Sequence, residues 1–582
     1  MRTRLAAVLL LLAGPATWAA PAPVGASPPG AFARAVDEYL DRFGHFHPSI
    51  AAGNGLHAHD DELEDFSAAT IAAELDWLRA ERRALGAFQD ADLTADERAD
   101  RRILRGIIDG WILDLDGVRT WTRNPMVYVS ALADGLHNLL TLDSAPAEVR
   151  LRAATRKLEQ AGRLFTQARQ NVRAPPRVFV ERALAMLAGV RALLEHDLAL
   201  GFAGSLDTPA GRELAAAAQR ALAPLEGYRA WLAGEGLAQA TGRFATGTAA
   251  VEARYRAEEL IDLPAAALLK IGTRELARTQ AAFAATAARL DAARPAAAVW
   301  EEVEARHPAR GELVPAAQRL VDELFEFIRA RDLVRLPGGE RVTVAAAPAY
   351  DLGLASMHSS PPLEPHPVRS FYYVTDADPS WPPERQEAWL RSFNEATLAD
   401  ITAHEVAPGH YVHSVFMRGT PGKVRRIWIG LNPFPQPSSG QDGWAHYAEQ
   451  LVSDEGFHGD DPRYRLAQQA EALSRICRLI AGLRLHSGEW SVEDAARLFE
   501  QEAHLTPVAA RREAVRGTYD PTYGGYFLGR LALLKLREDY RRAHPADFSL
   551  REFHERVMRD GIAPWPVHRE LLLPGDRGAT LE

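Results

Sequence analysis

The segment His404-Glu405-Val406-Ala407-Pro408-Gly409-His410 sets two imidazoles beside a carboxylate. Zinc in a hydrolase takes three protein ligands and leaves a fourth position for water. The ion lowers the pKa of that water, and a neighbouring glutamate takes its proton. The common form, H-E-x-x-H, places both histidines one helical turn apart on one face. Here the spacing is i, i+6, which on a straight helix rotates the second histidine about 240° from the first. Pro408 cannot donate an amide to the His404 carbonyl, and its ring crowds that turn. Gly409 has backbone conformations closed to other residues. A break or widening at Pro408-Gly409 is therefore expected, returning His410 to the face of His404 and Glu405. The structural alternative is a helix end that happens to be flanked by histidines. His413 is a spare imidazole on a neighbouring face.

A third ligand is expected from a second helix. In Gln441-Asp442-Gly443-Trp444-Ala445-His446-Tyr447-Ala448-Glu449, the residues Asp442, His446 and Glu449 stand at i, i+4 and i+7. That spacing is one stripe of a helix. Three possible ligands on one stripe are more than a solvated face usually offers.

The elements that must position these groups are helical. From about Ala31 to Leu333, Ala, Leu, Arg and Glu recur at helical spacing, as in Ala69–Leu85, Glu148–Val172, Pro176–Leu200 and Ala265–Ala293. Between about Pro337 and Pro383 proline becomes dense, and two β-like runs stand out, Arg341–Ala346 and Ser370–Thr375. Helical patterns then resume to the end. The expected fold is mainly α, a large helical body with a small β element before the metal-binding helix. Its expected divisions are a signal segment (1–26), a helical N-terminal region (27–336) and a catalytic region (337–582). His45, His47, His57 and His59 fall in a Pro/Gly-containing early loop, where surface or capping roles outweigh a metal pair.

Composition narrows the function. The 582 residues are 47% hydrophobic and 25% charged, ordinary for a globular protein, with a formal net charge of -10. A mildly acidic chain without basic blocks gives no support to nucleic-acid binding. Arg2 and Arg4, the apolar run Leu5–Ala13 and the small residues Ala19, Ala20, Ala22 and Ala26 follow the order of a cleavable export signal. The apolar run is too short for a stable membrane anchor. Periplasmic or secreted location is expected, with cleavage after Ala19 or Ala26. The single cysteine, Cys477, lies in an apolar helical pattern, far from that signal. It reads as buried filler, and no lipid anchor or disulfide is expected.

The pair of motifs, H-E-x-x-P-G-H followed by D-G-W-A-x-Y-x-E, resembles the bacterial family catalogued as domain of unknown function 885. That family is grouped with zinc peptidases such as thimet oligopeptidase and carboxypeptidase Taq. The similarity runs from about Ser370 to Leu573 and includes Arg478–Ser491, Tyr526-Phe527-Leu528-Gly529, Leu536-Arg537 and Phe553-His554 before Gly561. The resemblance implies a Zn2+ ion held by His404 and His410, with Glu405 as general base. It implies Asp442 as third ligand and Glu449 as a carboxylate supporting the metal site. The family usually has glutamate where this chain has Asp442, so the helix must lie closer, or Glu449 or His446 must assist. Tyr526 stands where related peptidases stabilise an oxyanion, and His486 is a further pocket candidate. The run Phe371–Thr375 matches the place where relatives use an edge strand to hold an extended peptide substrate. The implied activity is that of a secreted zinc metallopeptidase. The same water-activating set would serve a non-peptide amide or ester hydrolase. A binding protein that keeps the fold without turnover is the third possibility, against which the intact Glu405 argues.

Overall fold

Apolar stripes at helical spacing, closed by polar caps, become helices close to where the sequence puts them. The computed structural model describes residues 30–336, 341–347, 354–427 and 439–581, so the signal segment 1–26 lies outside the described residues. Helices occupy Ala68–Leu85, Ala147–Asn171 and Ala265–Leu290, within a few residues of the expected spans. The stretch read as one helix from Pro176 to Leu200 widens into a π turn at Leu193–Asp197. Ser67 accepts from the Thr70 amide at one N-terminus, and Thr94 and Glu97 form a reciprocal capping box at another. The fold is mainly α, with a three-stranded sheet among the described residues. No described helix is long and apolar enough to cross a membrane.

Three apolar cores hold the chain together. The first is built by helices from Phe32 to Leu232, joined by Val424, Ile427, Ala563 and Val567. The second gathers helix Leu313–Arg331, the sheet and the helices that carry the chemistry. The third packs residues Val251–Val303 against residues Ala396–Leu528. Helix Ala265–Leu290 lies along helix Pro462–Ser487, where Gly272 approaches so closely that a β-carbon there would come within 3.0 Å of Ile480. Cys477 is fully buried in this third core, where burial pushes its thiol pKa up.

The sheet comprises β1 (Thr343–Ala346), β2 (Ala355–His358) and β3 (Phe371–Val374), in the order β1-β3-β2. β3 pairs parallel with β1 and antiparallel with β2. The expectation of an edge strand at Phe371–Thr375 is therefore corrected. β3 is central because hydrogen bonds occupy both its sides, and β2 is the strand nearer the chemistry. Tyr372 of β3 is buried, and its hydroxyl lies 3.2 Å from Thr402 Oγ1, tying the sheet to the helix of His404.

Candidate metal centre

Helix Glu395–Glu405 begins under an Asn394 cap, whose side chain accepts from the Thr397 amide. It stops at Glu405, and a new helix, His410–Met417, starts after four residues that include a cis Ala407–Pro408 peptide. Backbone bonds bridge the gap, from Gly409 N to Ala403 O at 3.1 Å and from Val412 N to Val406 O at 3.2 Å. The Pro408 carbonyl accepts from Trp444 Nε1 at 2.8 Å, which binds the break to helix Gln441–Asp454. A β-carbon at Gly409 would lie 1.8 Å from the His404 carbonyl oxygen and 2.5 Å from that of Ala403. Backbone cannot yield by that much, so residue 409 must be glycine. The rings of His404 and His410 meet across the break with centroids 4.7 Å apart and planes at 90°.

Asp442 enters from the first turn of helix Gln441–Asp454. Its Oδ1 is 3.9 Å from His404 Nε2 and 3.7 Å from His410 Nε2. Ligand bonds of 2.0–2.1 Å in a tetrahedral arrangement put donor atoms about 3.3 Å apart. The carboxylate oxygen thus stands about half an ångström beyond that spacing from each nitrogen, and all three donor atoms lie within 4.8 Å of one another. Two imidazole nitrogens and one carboxylate are a donor set suited to zinc. The residues therefore fit the metal that the motif implies. Among the described residues, Nδ1 of His410 is buried without a hydrogen-bond partner.

Glu449 serves the site through His404. It is fully buried, and its Oε1 lies 2.6 Å from His404 Nδ1. That bond makes Nδ1 the protonated nitrogen and leaves the Nε2 lone pair toward Asp442. Burial holds His404 well below the usual imidazole pKa, so the ring is neutral, as ligation requires. Arg475 donates to both Glu449 oxygens, at 2.7 and 3.3 Å, and to Glu471 at 3.2 Å. A second buried carboxyl, Asp400, interacts with Glu449. Burial drives both carboxyls up, with Arg475 opposing. Glu449 thus stands behind His404 rather than among the three converging groups. Asp442 is the carboxylate that faces Nε2 of both histidines.

Glu405 is half-buried beside the three. Burial pushes its carboxyl up to about 7; Asp442 adds to the rise, while His410, Arg475 and the Met357 amide of β2 oppose it. The edge strand thus brings the Met357 amide near enough to this carboxylate to lower its pKa. Tyr526 lies in the first turn of helix Gly525–Ala543 and accepts a short hydrogen bond from Arg516. Its phenol is raised first by burial, then opposed by Arg516, with the Asp442 charge raising it further. An acceptor role toward Arg516 leaves the hydroxyl proton available for donation elsewhere.

The remaining candidates are turned to other tasks. His486 is corrected from a pocket residue to a packing one: its Nε2 lies 2.8 Å from the Gly517 carbonyl, and its Nδ1 faces Thr246. Both ring nitrogens are thereby engaged away from the metal groups. His413 Nε2 reaches the Gly561 carbonyl at 3.1 Å. His446 is fully buried, with neither nitrogen hydrogen-bonded among the described residues. Arg475 and Asp400 escaped sequence reasoning, although a signal existed. Arg475 stands among the apolar residues Leu473, Ile476, Cys477, Leu479 and Ile480, and a buried cation requires a buried anion.

The chain matches, over residues 48–572, the family described as "Bacterial protein of unknown function (DUF885)". No curated protein matches it. Among solved structures, a "putative lipoprotein of unknown function" from Shewanella oneidensis superposes with a TM-score of 0.77 at 23% identity, covering 94% of this chain and 100% of that one. A "putative lipoprotein" from Colwellia psychrerythraea superposes with a TM-score of 0.78 at 16% identity, covering 94% and 99%. These likenesses establish a shared fold over nearly the whole length. The chain belongs to the bacterial family of unknown function 885.

Proposed function

We propose that this protein is an extracytoplasmic zinc-dependent peptidase. The observation that carries the reading is the convergence of His404 Nε2, His410 Nε2 and the Asp442 carboxylate beside Glu405. Zinc, when bound, supplies Lewis acidity and an acidified water there. Glu405 takes the proton of that water and passes it to the leaving amine, a task suited to a carboxyl whose burial raises its basicity. Tyr526 donates its hydroxyl proton to the developing oxyanion, while Arg516 fixes the ring. A peptide lying along β2 would place its backbone next to Glu405, because Met357 of that strand already touches the base. The motif resemblance to zinc peptidases supports peptide over other amides. The lipoprotein descriptions of the two structural relatives, together with the signal-like residues Arg2 to Ala26, support a location outside the cytoplasm.

Glu405→Gln tests the reading. The variant should keep zinc and fold while kcat on cleaved peptides falls by on the order of 10²-fold or more. Near-normal turnover would remove Glu405 from the base role. Cleavage of model esters with no cleavage of any member of a peptide library would move the substrate class away from peptides.

A further inference from the structure

A second His-His-carboxylate group lies in the N-terminal part of the chain, unconnected with the proposed peptidase site. His45 is in the last turn of helix Ala31–Phe46, and His59 and Glu62 belong to the loop that follows helix Pro48–Gly53. The Glu62 carboxylate faces both rings, one oxygen 3.2 Å from His59 Nδ1 and the other 3.9 Å from His45 Nδ1. The ring centroids are 5.6 Å apart, inclined at 65°. The three donor atoms lie within 4.8 Å of one another. The nearby His57 is not part of the set, because its two nitrogens are engaged by Asp60 and Glu364 at 2.8 Å each.

We propose that His45, His59 and Glu62 bind a divalent borderline ion, zinc or copper(II), at the protein surface. Two imidazoles and one carboxylate match the donor preference of these ions rather than of calcium or magnesium. The separations of 3.2 and 3.9 Å bracket the roughly 3.3 Å expected around a tetrahedral ion. His45 also stands at a helix C-terminus, where the macrodipole favours positive charge. An ion here would staple the end of helix Ala31–Phe46 to the loop. That loop contacts residues Leu363 and Glu364 of the connector through Asn54 and His57. Among the described residues no buried carboxylate is hydrogen-bonded to these imidazoles, so the ion should bind at least about 10-fold more weakly than at His404.

Titration of metal-free full-length protein with zinc, against a chromophoric chelator, should reveal two equivalents. The double substitution His45→Ala/His59→Ala should remove the weaker one and spare the tighter one. A single equivalent that survives the double substitution, or two equivalents in the double variant, would overturn the proposal. Should the double variant lose its helical circular dichroism, the exposed Glu62→Gln variant and an independent spectrum decide instead. Glu62→Gln should weaken the second equivalent, and an unchanged value counts against the site. Copper(II) added to the unsubstituted protein already holding one zinc should give an electron paramagnetic resonance spectrum split by two imidazole nitrogens. A signal without nitrogen splitting refutes the site. Loss of zinc at His404 with this copper signal intact would count against the peptidase reading alone.

Discussion

Two groups of two histidines and a carboxylate occur among the described residues, and their donor separations are nearly alike. At His404, His410 and Asp442 the carboxylate lies 3.7–3.9 Å from the imidazole nitrogens; at His45, His59 and Glu62 it lies 3.2–3.9 Å away. Their surroundings differ. The His45 and Glu62 side chains are 51% and 44% exposed, whereas that of His404 is 11% exposed and Glu449 behind it is fully buried. Behind His404 stand Glu449, Arg475 and Asp400; His45 and the 21% exposed His59 have one shared carboxylate. A buried imidazole with its second nitrogen held by an anion is fixed in tautomer and direction before an ion arrives. An exposed one must be ordered by the ion itself, at the expense of side-chain entropy. Donor geometry decides which ions fit, and the supporting groups decide how tightly.

The largest effect should follow from breaking the backbone of the buried site. Gly409→Ala sets a methyl against the carbonyl oxygens of His404 and Ala403. The expected outcome is a loss of stability above about 3 kcal/mol, with loss of the tight zinc and no change in the weak one. A variant that unfolds at the same urea concentration as the parent would show that the break tolerates a side chain.

The ligands come next. Asp442→Ala should lower affinity for the tight zinc by more than Glu449→Ala, for which a drop of about 10–100-fold is expected. Asp442→Glu should retain the ion, since the longer carboxylate restores the residue usual in the family. Equilibrium dialysis against buffered zinc measures all three. If Glu449→Ala strips the metal while Asp442→Ala keeps it, the ligand moves along the stripe to Glu449.

What the sequence made legible here was what periodicity and motif spacing encode. The i, i+4, i+7 stripe of Asp442, His446 and Glu449 predicted one helix facing the histidines, and Pro408-Gly409 predicted the break that lets them meet. The stripe did not say which member would face which partner, because that depends on the distance between two helices. The close contact of Gly443 with Gly529, where a β-carbon would lie 2.6 Å from the opposing Cα, is set by tertiary packing. β2 was missed because Ala355-Ser356-Met357-His358 has neither alternation nor β-branched residues. β3 was misplaced at an edge because strand order is invisible in a single apolar run. His486 looked chemical by its type alone, while burial and its two bonds make it structural.

The smallest effect on metal binding, and the sharpest test of what the charged surroundings do, concerns the Arg478–Glu513 pair. Arg478 donates to both oxygens of Glu513, at 2.8 and 3.2 Å, and its guanidinium lies 5.7 Å from the Tyr526 ring centroid. Burial alone would raise the Glu513 carboxyl, but the Arg478 charge and hydrogen bonds overcome it and hold the pKa near 2. An unfolded glutamate titrates at about 4.3. The folded pKa is thus depressed, so the contribution to stability is complete above about pH 4.3 and is lost as pH falls through 2. Glu513→Gln should therefore cost about 3 kcal/mol at pH 7, and the penalty should shrink steadily below pH 4. Both zinc equivalents should remain, because no ligand and no ligand's hydrogen-bond partner has changed. Urea unfolding at pH 7 and at pH 3, with zinc titration at pH 7, separates the outcomes. A penalty equal at the two pH values would mean that the carboxylate charge contributes nothing. Loss of the tight zinc would mean that the paired charges extend their hold from Tyr526 to the metal ligands.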